Sequence, residues 1–180
     1  GHLLVLGLDY DKNLKRDASL EDTIKEAKDN NGITIADHPF YFEGMGNYLK
    51  ERDNLHLLEN IDAIEIFNGE AAFGLPFGPL PNDANKKAFE FYKMIEDIYP
   101  DVGALASSDG HSMYELGSSW TTIFEADITN FVPSLKQSIK ETNLYNYRKD
   151  KCSYFGAVDH IAKLLLFKAA RKLGLEQKFE

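Results

Sequence analysis

The sequence predicts an α/β domain with a parallel sheet, and three observations carry that prediction. Short, almost uninterrupted apolar runs recur along the chain, which is how strands covered on both faces read. Longer stretches between them return an apolar residue every three to four positions, the period of an amphipathic helix. Gly, Pro and Asn punctuate the boundaries. Strands alternating with helices in this order build a parallel sheet flanked by helices.

The first run, His2 to Leu8 (HLLVLGL), is a strand. Ser19 opens a helix: its hydroxyl can cap the amide of Asp22, and Glu21 and Asp22 sit favourably near the positive helix end. Leu20, Ile24 and Ala27 form its apolar stripe, and Gly32 is expected to stop it. Ile33 to Asp37 (ITIAD) and Ala63 to Asn68 (AIEIFN) are buried strands. A Gly/Pro-rich loop with Phe73 and Phe77 follows from Gly69 to Pro81. Ala84, Ala88, Phe91 and Ile95 stripe a helix from Asp83 to about Tyr99, ended by Pro100. Gly103 to Ser107 and Trp120 to Phe124 are strands. Val132, Leu135 and Ile139 mark a short helix with Pro133 tolerated in its first turn. A long helix, Val158 to about Leu173, closes the chain. No repeat, linker or low-complexity segment divides the sequence, so residues 1–180 read as a single domain.

Composition narrows the function classes. No run approaches the ~18 apolar residues of a membrane span. The single cysteine, Cys152, excludes an intramolecular disulfide and fits a cytoplasmic protein with a buried structural thiol. The net charge of −9 argues against a general nucleic-acid surface. Residues 146–180 hold eight Lys/Arg against four Asp/Glu, which leaves −13 on the first 145. An acidic protein can still act on phosphates if bound cations reverse the local field. The cations of the closing helix, Lys163, Lys168, Arg171 and Lys172, are those of a docked helix whose charged ends stay in water.

Three of the five histidines, His2, His38 and His111, fall at or beside a predicted strand edge. His38 follows ITIAD where strand gives way to loop, and Pro39 is expected to hold its backbone extended. In barrel-like α/β folds active sites gather at the carboxyl ends of strands. A His-Pro pair alone reads sooner as a histidine packed at a strand end than as a ligand. Asp109 and His111, two apart after GALAS, can project to one side, with Gly110 between them for a tight turn. A carboxylate and an imidazole so placed can bind divalent ions, or divide metal binding and proton handling between them. The bland alternative makes Asp109 a turn cap and His111 a surface residue. His2 can reach the same pocket, although a leading Gly-His is also what tag cleavage leaves. His56, among leucines, and His160, on the final helix, read as structural. No Gly-x-Ser-x-Gly, P-loop or Cys-His pair supplies a nucleophile, which leaves metal-activated water.

Taken together, these stretches resemble the PHP superfamily, named for polymerase and histidinol phosphatase domains. The likeness runs to about residue 124: an apolar strand led by His2, Gly32-Ile33 leading to His38-Pro39, the strand IDAIEIFNG with Asn85-x-x-Ala88 behind it, and SSDGH followed by Glu115-Leu116-Gly117. The resemblance implies a distorted (β/α)7 TIM-like barrel and a cluster of two or three divalent ions, Zn, Mn or Fe. It implies hydrolysis of phosphate esters by metal-activated water, with a phosphorylated small molecule or nucleotide as substrate. By position, His2, His38, Asp109 and His111 match metal ligands, with Asp109 and His111 also in the catalytic role. Glu65 and Asn68 match the IEIFNG strand as structural residues or as support behind the ligands. The chain departs from the pattern in lacking any His-x-His. That implies a carboxyl-terminal portion of the barrel, incomplete at its N-terminal side and inactive alone unless an upstream barrel segment or self-association completes it.

Two other readings stand beside this one: a non-catalytic PHP-like interaction or structural module, and a metal-dependent amidohydrolase on a related barrel. The second usually needs a bridging Lys, and none stands at a predicted strand end. Selectivity would lie in the loops 69–82 and 112–118. Arg148, Lys149 and Lys151 either hold a substrate phosphate or form a solvated basic turn.

Overall fold

In the computed structural model, residues 2–9, 11–41, 44–73, 83–124, 126–142, 147–148 and nine positions between 159 and 172 are described. They form a mixed α/β structure around a four-stranded sheet of order β1-β2-β3-β4, with β1 Leu3–Leu6, β2 Ile33–Ala36, β3 Ala63–Asn68 and β4 Gly103–Ser107. These strands do not close into a barrel.

Strands β2, β3 and β4 fall where the apolar runs place them. β2, β3 and β4 are parallel. β1 is not: it runs antiparallel to β2, with Leu3 opposite Ala36 and Leu6 opposite Ile33. It is also an edge strand with Leu4 43% exposed, so the expectation of a wholly parallel, doubly covered sheet is corrected at this strand. A continuous apolar run records burial but not strand direction. Because β1 is reversed, its first residue lies at the end of the sheet where β2, β3 and β4 finish. His2 therefore stands beside the carboxyl ends of the parallel strands.

Helix α1 (Leu20–Asp29) is capped as the sequence predicts, with Ser19 Oγ accepting from Asp22 N at 3.1 Å. It buries Ile24 and Ala27. The left-handed residue that ends it is Asn31 (φ 58°) rather than Gly32. Gly32 serves close approach instead, since a Cβ there would meet Val5 Cγ1 at 2.8 Å. Helix α2 (Gly46–Lys50) and a 3-10 helix (Arg52–Asn60) fill the connection to β3. Gly44, Gly46, Asp53 and Asn54 dilute the apolar period of this stretch in the sequence. The expected loop after β3 begins with a helical turn, α3 (Gly69–Phe73), which Asn68 caps by accepting from Ala71 N at 2.8 Å. Helix α4 (Ala84–Ile95) buries the predicted stripe and ends before Tyr99.

Two clusters pack the sheet. On one face Ala36, Ile64, Ile66 and Ala104 meet Ile24, Leu49, Leu57, Phe91 and Ile95 from the helices. On the other, Ile33, Ile35 and Ala63 meet Ile139 of helix α5 (Phe131–Lys140). That second face is less filled and keeps an apolar recess of about 230 Å³ between Leu4, Leu6, Leu105 and Leu135. Strand β5 is shorter than expected (Trp120–Thr121) and pairs antiparallel with β6 (Tyr147–Arg148), so Arg148 lies in a strand. Thr121 covers the outer edge of β4, its Oγ1 accepting from Ala106 N at 2.7 Å. The described positions between Asp159 and Lys172 are helical. Lys149, Lys151, Cys152 and His160 lie outside the described residues. No helix among the described residues is long and apolar enough to cross a membrane.

Candidate metal centre

The carboxyl ends of β2, β3 and β4, with the start of β1, enclose a cleft of about 370 Å³. His2, Asp37, His38, Tyr41, Glu70, Asp109 and His111 line it. The four residues singled out as ligands from the sequence, His2, His38, Asp109 and His111, are thus brought together. His56 is not: it is exposed on the 3-10 helix, its Nδ1 2.7 Å from Asp53 O.

Two groups of donor atoms stand in this cleft. His2, Asp37 and His38 form one, and Glu70, Asp109 and His111 the other; within each, the ligand-capable atoms lie inside 4.8 Å of one another. In the first, His2 Nδ1 and His38 Nε2 are 2.8 Å apart, and Asp37 Oδ2 is 3.5 Å from the same His38 nitrogen. In the second, His111 Nδ1 lies 3.1 Å from Glu70 Oε2 and 3.9 Å from Asp109 Oδ1. Asp37 and Glu70 carry no distinctive sequence signal. Asp37 closes a strand and Glu70 opens a helical turn, and only the fold sets them against histidines distant in sequence.

The backbone at two of these residues is unusual. His38 (φ 26°) and Asp109 (φ 49°) both occupy the left-handed region. For His38 this overturns the extended backbone expected from Pro39; the local bias yields to the turn in which Tyr41 N donates to His38 O at 2.9 Å. For the Asp109 turn, the left-handed residue is the aspartate and not Gly110. Gly110 lets the chain pass close to Leu116 N, which a Cβ would meet at 3.0 Å.

Behind the cleft lie buried polar groups. Glu65, 2% exposed, accepts from His38 N (2.7 Å), from Asn68 Nδ2 (3.1 Å) and from the Ser107 hydroxyl. Asn68 Nδ2 also donates to Asp109 Oδ2 at 3.0 Å. Asn68 is held in turn by Asn85, whose Oδ1 accepts from Asn68 N. Glu115, wholly buried, accepts through Oε2 from the backbone N–H groups of His111 (2.7 Å) and Ser112 (2.8 Å), which fixes the turn carrying His111. The sequence showed Glu115 only as part of a motif, without this role.

The electrostatics are those of crowded carboxylates. Burial, followed by the charge of Asp37, pushes Glu65 up from 4.5 to about 7. Burial also raises Asp37, with the His38 imidazole opposing and Asp109 adding to the rise. Glu70 is raised by burial and then by Asp109, against the opposing pull of His111. No lysine or arginine lines the cleft among the described residues. Imidazole and carboxylate donors gathered in this way could hold a metal ion. Compared with protein-family models, curated proteins and solved structures, the chain matches none.

Proposed function

We propose that this chain carries the site of a divalent-cation-dependent phosphoesterase of the PHP kind, the sheet being part of that superfamily's distorted (β/α)7 barrel. The observation that carries the reading is the pair of three-residue donor groups facing one cleft. His2, Asp37 and His38 would hold one cation, and Glu70, Asp109 and His111 a second. Cations bound there would supply a Lewis acid for a phosphoryl oxygen and would bring the pKa of a bound water to about 7.

The chain's own groups do the rest. Three carboxylates in the wall repel a phosphate until their charge is offset, so substrate binding is conditional on cation binding. His111, exposed at the mouth of the cleft, would carry a proton from the attacking water or to the leaving group. Glu115 fixes its backbone for that task. Tyr41 meets the His38 ring edge-on, with centroids 6.1 Å apart, and restricts the cleft on that side. The substrate class is a phosphorylated small molecule or nucleotide.

Calorimetric titration with Mn²⁺ tests the reading. The unaltered chain should bind Mn²⁺ saturably, and Asp109→Ala should weaken that binding by about tenfold or more. Hydrolysis by this chain, alone or joined by the barrel segment proposed to complete it, should be Mn²⁺-dependent release of p-nitrophenol from its phosphate ester, with no p-nitroaniline from an anilide. No saturable Mn²⁺ binding, or equal binding by Asp109→Ala, sinks the cation site. Binding without ester hydrolysis sinks the catalytic part in favour of a non-catalytic module, and cleavage of the anilide alone makes it an amidohydrolase.

A further inference from the structure

We infer that the buried Glu65 carboxylate is the positioning residue of this cleft, pinning His38 and Asp109 together in the left-handed backbone that aims their side chains at the cations. The inference rests on the cation-site reading above and deepens it.

Four non-glycine residues among those described have positive φ: Asp17, Asn31, His38 and Asp109. Asn31 follows a helix and Asp17 lies in a turn, where such a backbone is routine. The other two are both candidate ligands, just past the ends of different strands. A left-handed residue with a full side chain costs on the order of 1–3 kcal/mol and persists only where its surroundings over-determine it.

The surroundings converge on Glu65. Its strand, β3, lies between the strands that deliver His38 and Asp109, so one side chain can reach both. Its Oε2 accepts from the N–H of His38 itself. Its Oε1 accepts from the Ser107 hydroxyl, and the same oxygen of Ser107 accepts from the N–H of Asp109 at 3.2 Å. Asn68 closes the ring by donating to Glu65 Oε2 and Asp109 Oδ2. With Oδ2 held from behind, Asp109 has Oδ1 on the His111 side of the cleft.

The register of β3 against β4 slips between Glu65 and Phe67, a bulge of the sort that re-aims side chains beside functional sites. A purely structural role explains the residue type poorly. Neighbours Ala63, Ile64 and Ile66 are buried and apolar, and an apolar side chain would fill this position without the desolvation of a carboxylate.

The test uses the whole chain and Mn²⁺ as probe, with thermal melts of the cation-free protein in parallel. Glu65→Met keeps the volume and removes all three acceptor contacts. It should fold, yet bind Mn²⁺ at least about tenfold more weakly. Glu65→Gln, which keeps one acceptor oxygen, should recover part of the loss. Ser107→Ala removes the bridge from Glu65 Oε1 to the Asp109 amide while leaving Glu65 Oε2 on His38 N, and decides the matter if Glu65→Met does not fold: about tenfold weaker Mn²⁺ binding with a nearly unchanged melt is expected. Without any cation, the amide resonances of His38 and Asp109 should move together in either variant while that of His56 stays.

Mn²⁺ affinity within about twofold of the unaltered chain in a folded Glu65 or Ser107 variant overturns the inference and leaves the cation site standing. Absence of Mn²⁺ binding by the unaltered chain overturns both.

Discussion

Two buried carboxylates three residues apart, at and within the same strand, show how partners decide what an acid does. Asp62, just before β3, is 1% exposed and accepts from Thr34 N (2.9 Å) and Thr34 Oγ1 (3.1 Å). Lys28 Nζ lies 3.3 Å from its Oδ1 and Lys136 Nζ 3.5 Å from its Oδ2. Cations of the protein neutralise it, and it ties α1 and α5 to the start of the sheet. Glu65, in the middle of β3, accepts from the neutral donors His38 N, Asn68 and Ser107 and is raised to about 7. Asp62→Ala would leave two lysines facing each other and strand the Thr34 amide. Because both ammonium groups still reach water, the loss belongs at the lower end for a broken buried pair, about 3 kcal/mol. Urea unfolding measures it; a loss below about 0.5 kcal/mol would show that Asp62 carries no more weight than a surface residue.

At the scale of elements, α5 seats its carboxyl end against the beginning of β4. Gly103 makes this possible: a Cβ there would overlap the Ile139 carbonyl oxygen and lie 2.7 Å from Thr142 Oγ1. The first obstacle is backbone, so it cannot rotate away. Gly103→Ala is expected to cost about 2–3 kcal/mol by overpacking, read as a lowered urea midpoint with an unchanged m-value. A midpoint equal to the unaltered protein's would mean that α5 shifts freely.

The bounds of β3 and β4 were legible because a dense apolar run between turn signals has few other ways to be buried. The direction of β1 was not, since side-chain pattern is silent on which way a neighbour runs. The histidines were legible because there are only five, so three at strand edges stand out. Asp37 and Glu70 were lost among 29 acidic residues. Only the sheet, by reversing β1 and bringing three strand ends together, shows which acids face an imidazole. The backbone of His38 was misread for the same reason, a local preference overruled by contacts distant in sequence.

For the molecule as a whole, the cleft concentrates acidity in a chain already at −9. Glu65, Asp37 and Glu70 all hold protons more tightly folded than unfolded. A carboxyl raised in this way contributes stability that is complete below its unfolded pKa and is lost as pH rises through its folded one. For Glu65 that window runs from 4.5 to about 7. At 1.36 kcal/mol per tenfold, this residue alone would contribute at most about 3 kcal/mol, to be treated as an order of magnitude. The cation-free protein, kept in chelator, should therefore melt lower near about pH 8 than near about pH 5.5, the slope flattening above about pH 7. Divalent cations act in the opposite direction. Bound as proposed, they would take the ionised carboxylates of Asp37 and Glu70, and at a hundredfold excess over Kd would add about 2.7 kcal/mol. Mn²⁺ should raise the melting temperature strongly near about pH 8 and little near about pH 5.5, where protons compete for the same oxygens. Scanning fluorimetry at both pH values, with chelator and with Mn²⁺, reads the four conditions. If the chelated protein melts higher at the alkaline value, the crowding of Asp37, Glu65 and Glu70 does not govern stability. If Mn²⁺ raises both melts equally, its binding is not tied to the ionisation of these three groups.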